Sequence, residues 1–202
     1  EDITLRAIRT LRDCDLVAAE DTRHTGMLLK RLGLAKRQVS AHKFNEAKRS
    51  GEIVELLQGG GTVAMVSDAG SPGISDPGQR LVAAVIVAGC RVETVPGACA
   101  LVVALTASGL ATDEFHFVGF LPVKSGQRAR RLTTLLELPG TLALYESPYR
   151  VVKLLRELVK VAPGRPVVLA RELTKKFEQI KRGLPGELLA GYAERNPKGE
   201  FV

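Results

Sequence analysis

Thr62-Val63-Ala64-Met65-Val66-Ser67-Asp68-Ala69-Gly70-Ser71-Pro72-Gly73-Ile74-Ser75-Asp76-Pro77-Gly78 sets an apolar run against a long loop of small residues, Gly and Pro. The apolar half reads as a buried strand. The loop feeds a helix over 77–88, with Asp76 expected as N-cap and Pro77 at the first helical position. Small side chains let a ligand approach backbone closely, and open α/β sheets bind ligands at the carboxyl ends of parallel strands. The plain alternative is a βα connection built of turn residues and nothing more.

The surrounding chain repeats the pattern. Thr4 or Asp2 is placed to cap a short helix carrying Leu5, Ile8 and Leu11 on one face, and 16–19 reads as a strand. A helix after Thr22 ends at Gly33, residues 39–42 form a weak strand, and the next helix carries Ile53, Val54, Leu56 and Leu57. A strand at 92–95 runs into Pro96-Gly97-Ala98-Cys99 and an apolar helix to about Ser108. Near residue 112 the alternation restarts, with strands at 115–120, 141–145 and 167–170 and helices at 124–138 and 148–161. Residues 177–182 alternate as an antiparallel strand would, and a short helix around Leu188 and a final strand follow. Strands alternating with helices over short connections predict an α/β fold with mostly parallel sheets. Two α/β domains are expected, 1–112 and 113–202, with a ligand cleft between them. The chain opens Glu1-Asp2-Ile3 without Met and closes Gly199-Glu200-Phe201-Val202 as if within a strand. The expectation is that a first strand is missing ahead of residue 1 and that the last strand is truncated.

Composition narrows the chemistry. The 202 residues are 45% apolar and 25% charged, ordinary for a globular protein, and no apolar run reaches membrane-spanning length. Cys14, Cys90 and Cys99 are far apart, and His24, His42 and His116 offer no H-x-x-x-H pair. That pattern fits reduced thiols in a cytoplasmic protein and chemistry that needs no metal. Charge is uneven: 13 Lys and Arg face 12 Asp and Glu in residues 1–112, but 16 face 10 in residues 113–202. The densest run is Lys124-Ser125-Gly126-Gln127-Arg128-Ala129-Arg130-Arg131, four cations without an acid. It is either a solvated helix face or a phosphate-contacting surface. Trp is absent and aromatics are 4% of the chain, so a base-stacking platform has little support.

Six motifs occur in order: Glu20-Asp21-Thr22-Arg23-His24-Thr25, Ser67-Asp68-Ala69-Gly70-Ser71-Pro72, Val95-Pro96-Gly97-Ala98, Gly119-Phe120-Leu121-Pro122, Tyr145-Glu146-Ser147-Pro148 and Ala170-Arg171-Glu172-Leu173-Thr174-Lys175. Together they resemble the bacterial 16S rRNA (cytidine) 2′-O-ribose methyltransferases of the tetrapyrrole-methylase-like superfamily, over essentially the whole chain. The resemblance implies a homodimer and S-adenosylmethionine (SAM) as cofactor. Its acceptor is a cytidine in the decoding region of small-subunit rRNA.

On that resemblance the cofactor contacts fall on Ser67, Asp68, Gly70, Ser71, Ile74, Gly97, Ala98 and Cys99, and on Leu121, Tyr145, Glu146, Ala170 and Leu184. Ser71 stands where the superfamily's Gly-Asp-Pro signature has Asp, leaving backbone contacts from Gly70, Ser71 and Ile74. Cys99 stands where a small hydroxyl residue is common. Asp21, His24 and Glu46 are the residues expected to shape the acceptor site, with Asn45, Asp68, Glu146 and Glu172 as further polar candidates. Arg23, Lys124, Arg128, Arg130, Arg131 and Arg150 are the expected RNA contacts. Two other readings stay open: a small-molecule tetrapyrrole methyltransferase of the same fold, and a non-catalytic RNA-binding protein.

Overall fold

Leu16–Ala19 forms β1, buried at all four positions, as the middle strand of a covered parallel sheet must be. It pairs in parallel with β2 (Gln38–Ser40) on one side and β3 (Val63–Val66) on the other, giving the order β2-β1-β3. Ala19 lies opposite both Ser40 and Val66, so all three carboxyl ends reach the same edge. The side-chain alternation of a strand then sorts β1 into two cores. Val17 and Ala19 pack with Leu11 and Leu29, whereas Ala18 packs with Ala41, Ile53, Leu81 and Val85. Apart from Ala41, which follows β2, these partners come from α1 (Leu5–Asp13), α2 (Thr22–Arg31), α3 (Glu46–Gln58) and α4 (Gln79–Val87).

The computed structural model describes residues 2–192 and 197–202, which fall into two compact units, Glu1–Cys99 and Ala100–Val202. The division falls ahead of α5 (Ala100–Ser108), not near residue 112. α5 packs on strands of the second unit, and Arg182 Nε donates to the Ser108 carbonyl at 2.9 Å. No disulfide joins Cys14, Cys90 and Cys99. Among the described residues no helix is long and apolar enough to cross a membrane.

Most local expectations hold. Thr4 caps α1, its hydroxyl accepting from Ala7 N–H at 3.1 Å, while Asp21, expected to shape the acceptor site, caps α2 as well. Two do not. α4 starts at Gln79 behind Gly78, and Asp76 is not its cap. The Pro77 carbonyl instead accepts from Gly73 N–H at 3.1 Å, closing a turn that uses the residues expected to begin the helix. Residues 92–95, expected as a strand, join no ladder among the described residues. Arg91 and Glu93 form a 2.8 Å ion pair at the surface there.

In the second unit β4 (Phe115–Phe120) runs parallel to β5 (Thr141–Tyr145), and β6 (Val167–Arg171) runs antiparallel to β7 (Gln179–Gly183). The expected final strand is a pair of bridges: Phe201 lies opposite both Glu146 and Arg171, antiparallel to each, and so links the two strand pairs. α6 (Ser125–Leu136), α7 (Val151–Val161) and α8 (Pro185–Ala190) cover them, with Leu121, Leu132, Leu135, Leu154 and Leu158 in one core cluster. A second cluster holds Val151, Leu155, Leu169, Leu188 and Phe201.

Gly140 enters β5 at φ 75°, and a Cβ there would run into the Glu114 carbonyl that accepts from Thr141 N–H. Gly140→Ala is expected to cost about 2 kcal/mol or more of stability, combining left-handed strain with a backbone clash. Urea unfolding followed by circular dichroism checks this.

Candidate functional site

The carboxyl ends of β1 and β3 carry Glu20-Asp21 and Ser67-Asp68, and the parallel register places the two pairs side by side. They interlock. Asp68 N–H donates to Glu20 Oε2 at 3.2 Å, and Asp21 N–H donates to Asp68 Oδ1 at 3.1 Å. His24 Nδ1 lies 3.3 Å from the other Asp68 oxygen. Each carboxylate thus satisfies an amide of the neighbouring strand end, which fixes both loop origins. Asp21, His24 and Asp68 bring three potential ligand atoms within 4.8 Å of one another.

The Asp21 carboxylate also accepts from three Arg23 donors: backbone N–H at 2.8 Å, Nε at 3.1 and 3.2 Å to its two oxygens, and Nη2 at 2.6 Å. Hydrogen bonding by the Arg23 side chain, and then by its backbone N–H, holds the Asp21 carboxyl well below the usual carboxylate range. The same contact raises the Arg23 guanidinium. Arg23 itself remains at the surface, its side chain 87% exposed.

From Ser67 onward the loop is shaped by backbone conformation. Gly70, Gly73 and Gly78 have φ of 72°, 82° and 136°, and Ser75 reaches 65° without being glycine. The buried Ser67 hydroxyl donates within the loop, to the Ala69 or Gly70 carbonyl. Ser71 Oγ donates to the Ala98 carbonyl at 3.2 Å, and a Cβ on Gly70 would sit 3.4 Å from that same oxygen. Loop 67–78 and turn 96–99 therefore form one surface, with Gly70, Ile74, Gly97 and Ala98 exposed and Cys99 half-buried beside them. Ser67, Asp68, Gly70, Ser71 and Ala98 are brought together at this edge.

Glu46 is elsewhere. It is buried, and its Oε1 accepts from Gly78 N–H at 2.9 Å and Leu81 N–H at 3.0 Å. Expected at an acceptor site, it instead caps α4.

In the second unit Leu121, Glu146 and Ala170 are buried and Tyr145 half-buried, whereas Leu184 is exposed at the start of α8. Tyr145 stacks edge-on with Phe117 and Phe120, at 4.9 and 5.8 Å between ring centres. Glu146 Oε1 accepts from Ser147 N–H at 2.8 Å and pairs with Arg150 Nη2 at 2.7 Å, while Glu146 Oε2 has no partner among the described residues. The expected RNA contacts separate. Lys124, Arg130 and Arg131 are exposed on and ahead of α6. Arg128 is buried and forks onto Glu157, Nε at 2.8 Å and Nη2 at 2.6 Å. Arg150 is committed to Glu146 and to the Leu121 carbonyl at 3.1 Å. Both guanidiniums are committed to carboxylates, Arg128 buried on α6 and Arg150 half-buried just ahead of α7.

Residues 1–189 match the family model for tetrapyrrole (corrin/porphyrin) methylases. The chain belongs to that family. Among its relatives, a Synechocystis protein named ribosomal RNA small subunit methyltransferase I is 48% identical, over 99% of this chain and 72% of its own. An Escherichia coli O157:H7 protein of the same name is 47% identical, over 100% of this chain and 71% of its own. The solved methyltransferase CobJ superposes with a TM-score of 0.71 at 20% identity, covering 99% of this chain and 87% of that one. Uroporphyrin-III C-methyltransferase from Thermus thermophilus, in complex with S-adenyl homocysteine, superposes at 0.65 with 22% identity, covering 98% and 89%. At such identities the likeness to both structures is one of fold.

Two features of the edge are not readable from this family member's sequence. Ser75 adopts a left-handed conformation that its residue type does not announce. Glu20 accepts from Asp68 N–H over 48 residues, and Asp68 from Asp21 N–H over 47, and no local spacing encodes that.

Because the folded Asp21 carboxyl is depressed, the stability its Arg23 contact contributes is complete above the ordinary aspartate range. It is lost only as pH falls through the lower folded value. The Asp21 carboxyl ¹³C resonance is expected to keep its ionised position at about pH 3, below the ordinary value. Arg23→Ala is expected to return its titration to that range.

Proposed function

We propose that this chain is an SAM-dependent methyltransferase acting on the ribose 2′-oxygen of a cytidine in the decoding region of 16S rRNA. The observation that carries the reading is identity of 47–48% to relatives named ribosomal RNA small subunit methyltransferase I, over 99–100% of this chain. The solved uroporphyrin-III C-methyltransferases and cobalt precorrin-4 methyltransferase that share the fold stand at 18–23%. The asymmetric charge agrees with a polyanionic acceptor, since a small tetrapyrrole needs no basic helix.

The first unit fits SAM on its own residues. Gly70 lies against the Ala98 carbonyl with no side chain of its own, so backbone at Gly70, Ser71 and Ala98 is open to close approach. Ser67 holds the loop from beneath, and Ile74 offers an exposed apolar contact. Bound there, SAM supplies a sulfonium methyl carbon to an attacking oxygen. The chain's part is to align that oxygen, and alignment is worth up to about 7–11 kcal/mol. In this reading His24, whose Nδ1 lies 3.3 Å from Asp68, takes the hydroxyl proton as the oxygen attacks, with Arg23 held by Asp21 beside it. Lys124, Arg130 and Arg131 supply phosphate contacts from the second unit. The family resemblance adds a homodimer and a cytoplasmic location, which light scattering and cell fractionation check.

Labelled SAM and small ribosomal subunits from cells lacking this protein test the reading directly. Label is expected on a ribose 2′-oxygen; SAM binding without transfer would remove the rRNA acceptor. Gly70→Trp, strained at φ 72° and filling the cradle, is expected to weaken SAM binding at least about tenfold in calorimetry. The double substitution Arg130→Glu, Arg131→Glu is expected to leave SAM affinity unchanged and raise the rRNA KM. It should also flatten the plot of log affinity against log salt by about two phosphate contacts.

A further inference from the structure

We infer that Glu46 is a positioning residue: from a different βα turn, it holds the far end of the 67–78 loop in the shape that receives SAM. The inference rests on the methyltransferase reading and assigns that reading's binding loop its third anchor. The loop's start is fixed by Asp68 against Glu20 and Asp21, and its middle by Ser71 against Ala98. Its end at Gly78 is a helix N-terminus without a cap of its own, since Gly78 has no side chain to offer. Glu46 Oε1 reaches across from α3 and accepts from both Gly78 N–H, at 2.9 Å, and Leu81 N–H, at 3.0 Å. A carboxylate at the positive end of α4 is favoured by the helix dipole as well as by the two bonds.

The anchor point is tightly packed. Gly78 sits at φ 136°, and a Cβ there would meet Met65 Sδ and Cε at 3.1 Å, so the chain passes directly over β3. Gly73 N–H donates to the Pro77 carbonyl at 3.1 Å, so a shift of Gly78 carries the 73–77 turn, Ile74 and Ser75 included, with it.

Glu46 is itself rigidly presented. Asn45 Oδ1 accepts from His42 N–H at 2.8 Å, and Asn45 Nδ2 donates to the Ser40 carbonyl at 3.1 Å. The Glu46 carbonyl accepts from Ser50 Oγ at 2.7 Å. A continuous set of bonds thus runs from the end of β2 through Asn45 and Glu46 to the end of the loop.

The test compares Glu46→Ala and Glu46→Gln with the parent protein by amide hydrogen exchange, SAM calorimetry and steady-state kinetics. In Glu46→Ala the Gly78 and Leu81 amides are expected to exchange at least about tenfold faster, the scale of a lost charge-assisted bond. The Kd and KM for SAM rise by a similar factor, whereas the rRNA KM and kcat at saturating SAM stay close to the parent values. Glu46→Gln recovers most of both effects, because its amide oxygen accepts the same two bonds, and its pH–rate profile keeps the parent shape. Asn45→Ala, which loosens the turn but leaves the carboxylate, is the milder variant and accelerates the same two amides.

If neither Glu46→Ala nor Asn45→Ala accelerates those amides, the anchor is overturned. A Glu46→Gln protein that binds SAM normally but loses kcat would overturn it too, by making Glu46 a catalytic residue. Failure of the parent protein to bind SAM would instead sink the methyltransferase reading, and the exchange rates would still judge the anchor.

Discussion

Parallel pairing of β1 with β2 and β3 is the constraint on which the site depends. Parallel strands deliver all their carboxyl ends to one edge, and their last backbone amides and carbonyls there have no further strand to pair with. The loops leaving that edge must satisfy those groups from side chains. Glu20 and Asp68 do so for each other's strand ends, and Asn45 does it for Ser40 at the end of β2. A polar, well-ordered rim is therefore the answer to a backbone accounting problem before it is a binding site. The Gly-rich loop gains its fixed shape from this rim, since glycines at positive φ supply freedom and no rigidity.

The second unit shows how burial reassigns charge. The run from Lys124 to Arg131 looks uniform as residue types, but one helical face of α6 packs against α7. Arg128 lies on that inward face, where a guanidinium is tolerated only because Glu157 meets it bidentately. Its neighbours on the outer face remain in water. Arg150 follows the same logic with Glu146, and its guanidinium also lies 5.9 Å from the Phe120 ring centre. The basic surface is narrower than the basic sequence.

Much of the fold was legible because its causes are local. The helices at 5–13, 22–31 and 151–161 follow apolar spacing, and Thr4 and Asp21 cap with side chains only two or three residues from the amides they bind. The antiparallel pairing of β6 with β7 was readable from alternation and a short connection. Residues 92–95, equally expected as a strand, form no ladder among the described residues, because a strand requires a partner as well as favourable residue types. α5 is apolar on all sides, so its periodicity could not say which unit it would join.

The candidate site divides along the same line. Residue types and spacing determined the βα architecture, the small-residue loop with its positive-φ glycines, and the six motifs that place the chain in its family, since these depend on neighbours within a few positions. Tertiary structure decided that Glu46 caps α4 and that Arg128 and Arg150 are ion-paired inside. It also decided that Glu20, Asp21 and Asp68 interlock. Each of those contacts but one joins residues 29 to 48 positions apart, the exception being Arg150 with Glu146 four residues away. Even there burial sets the outcome. A charged side chain's role follows from which donors and acceptors folding brings to it, and from whether water remains.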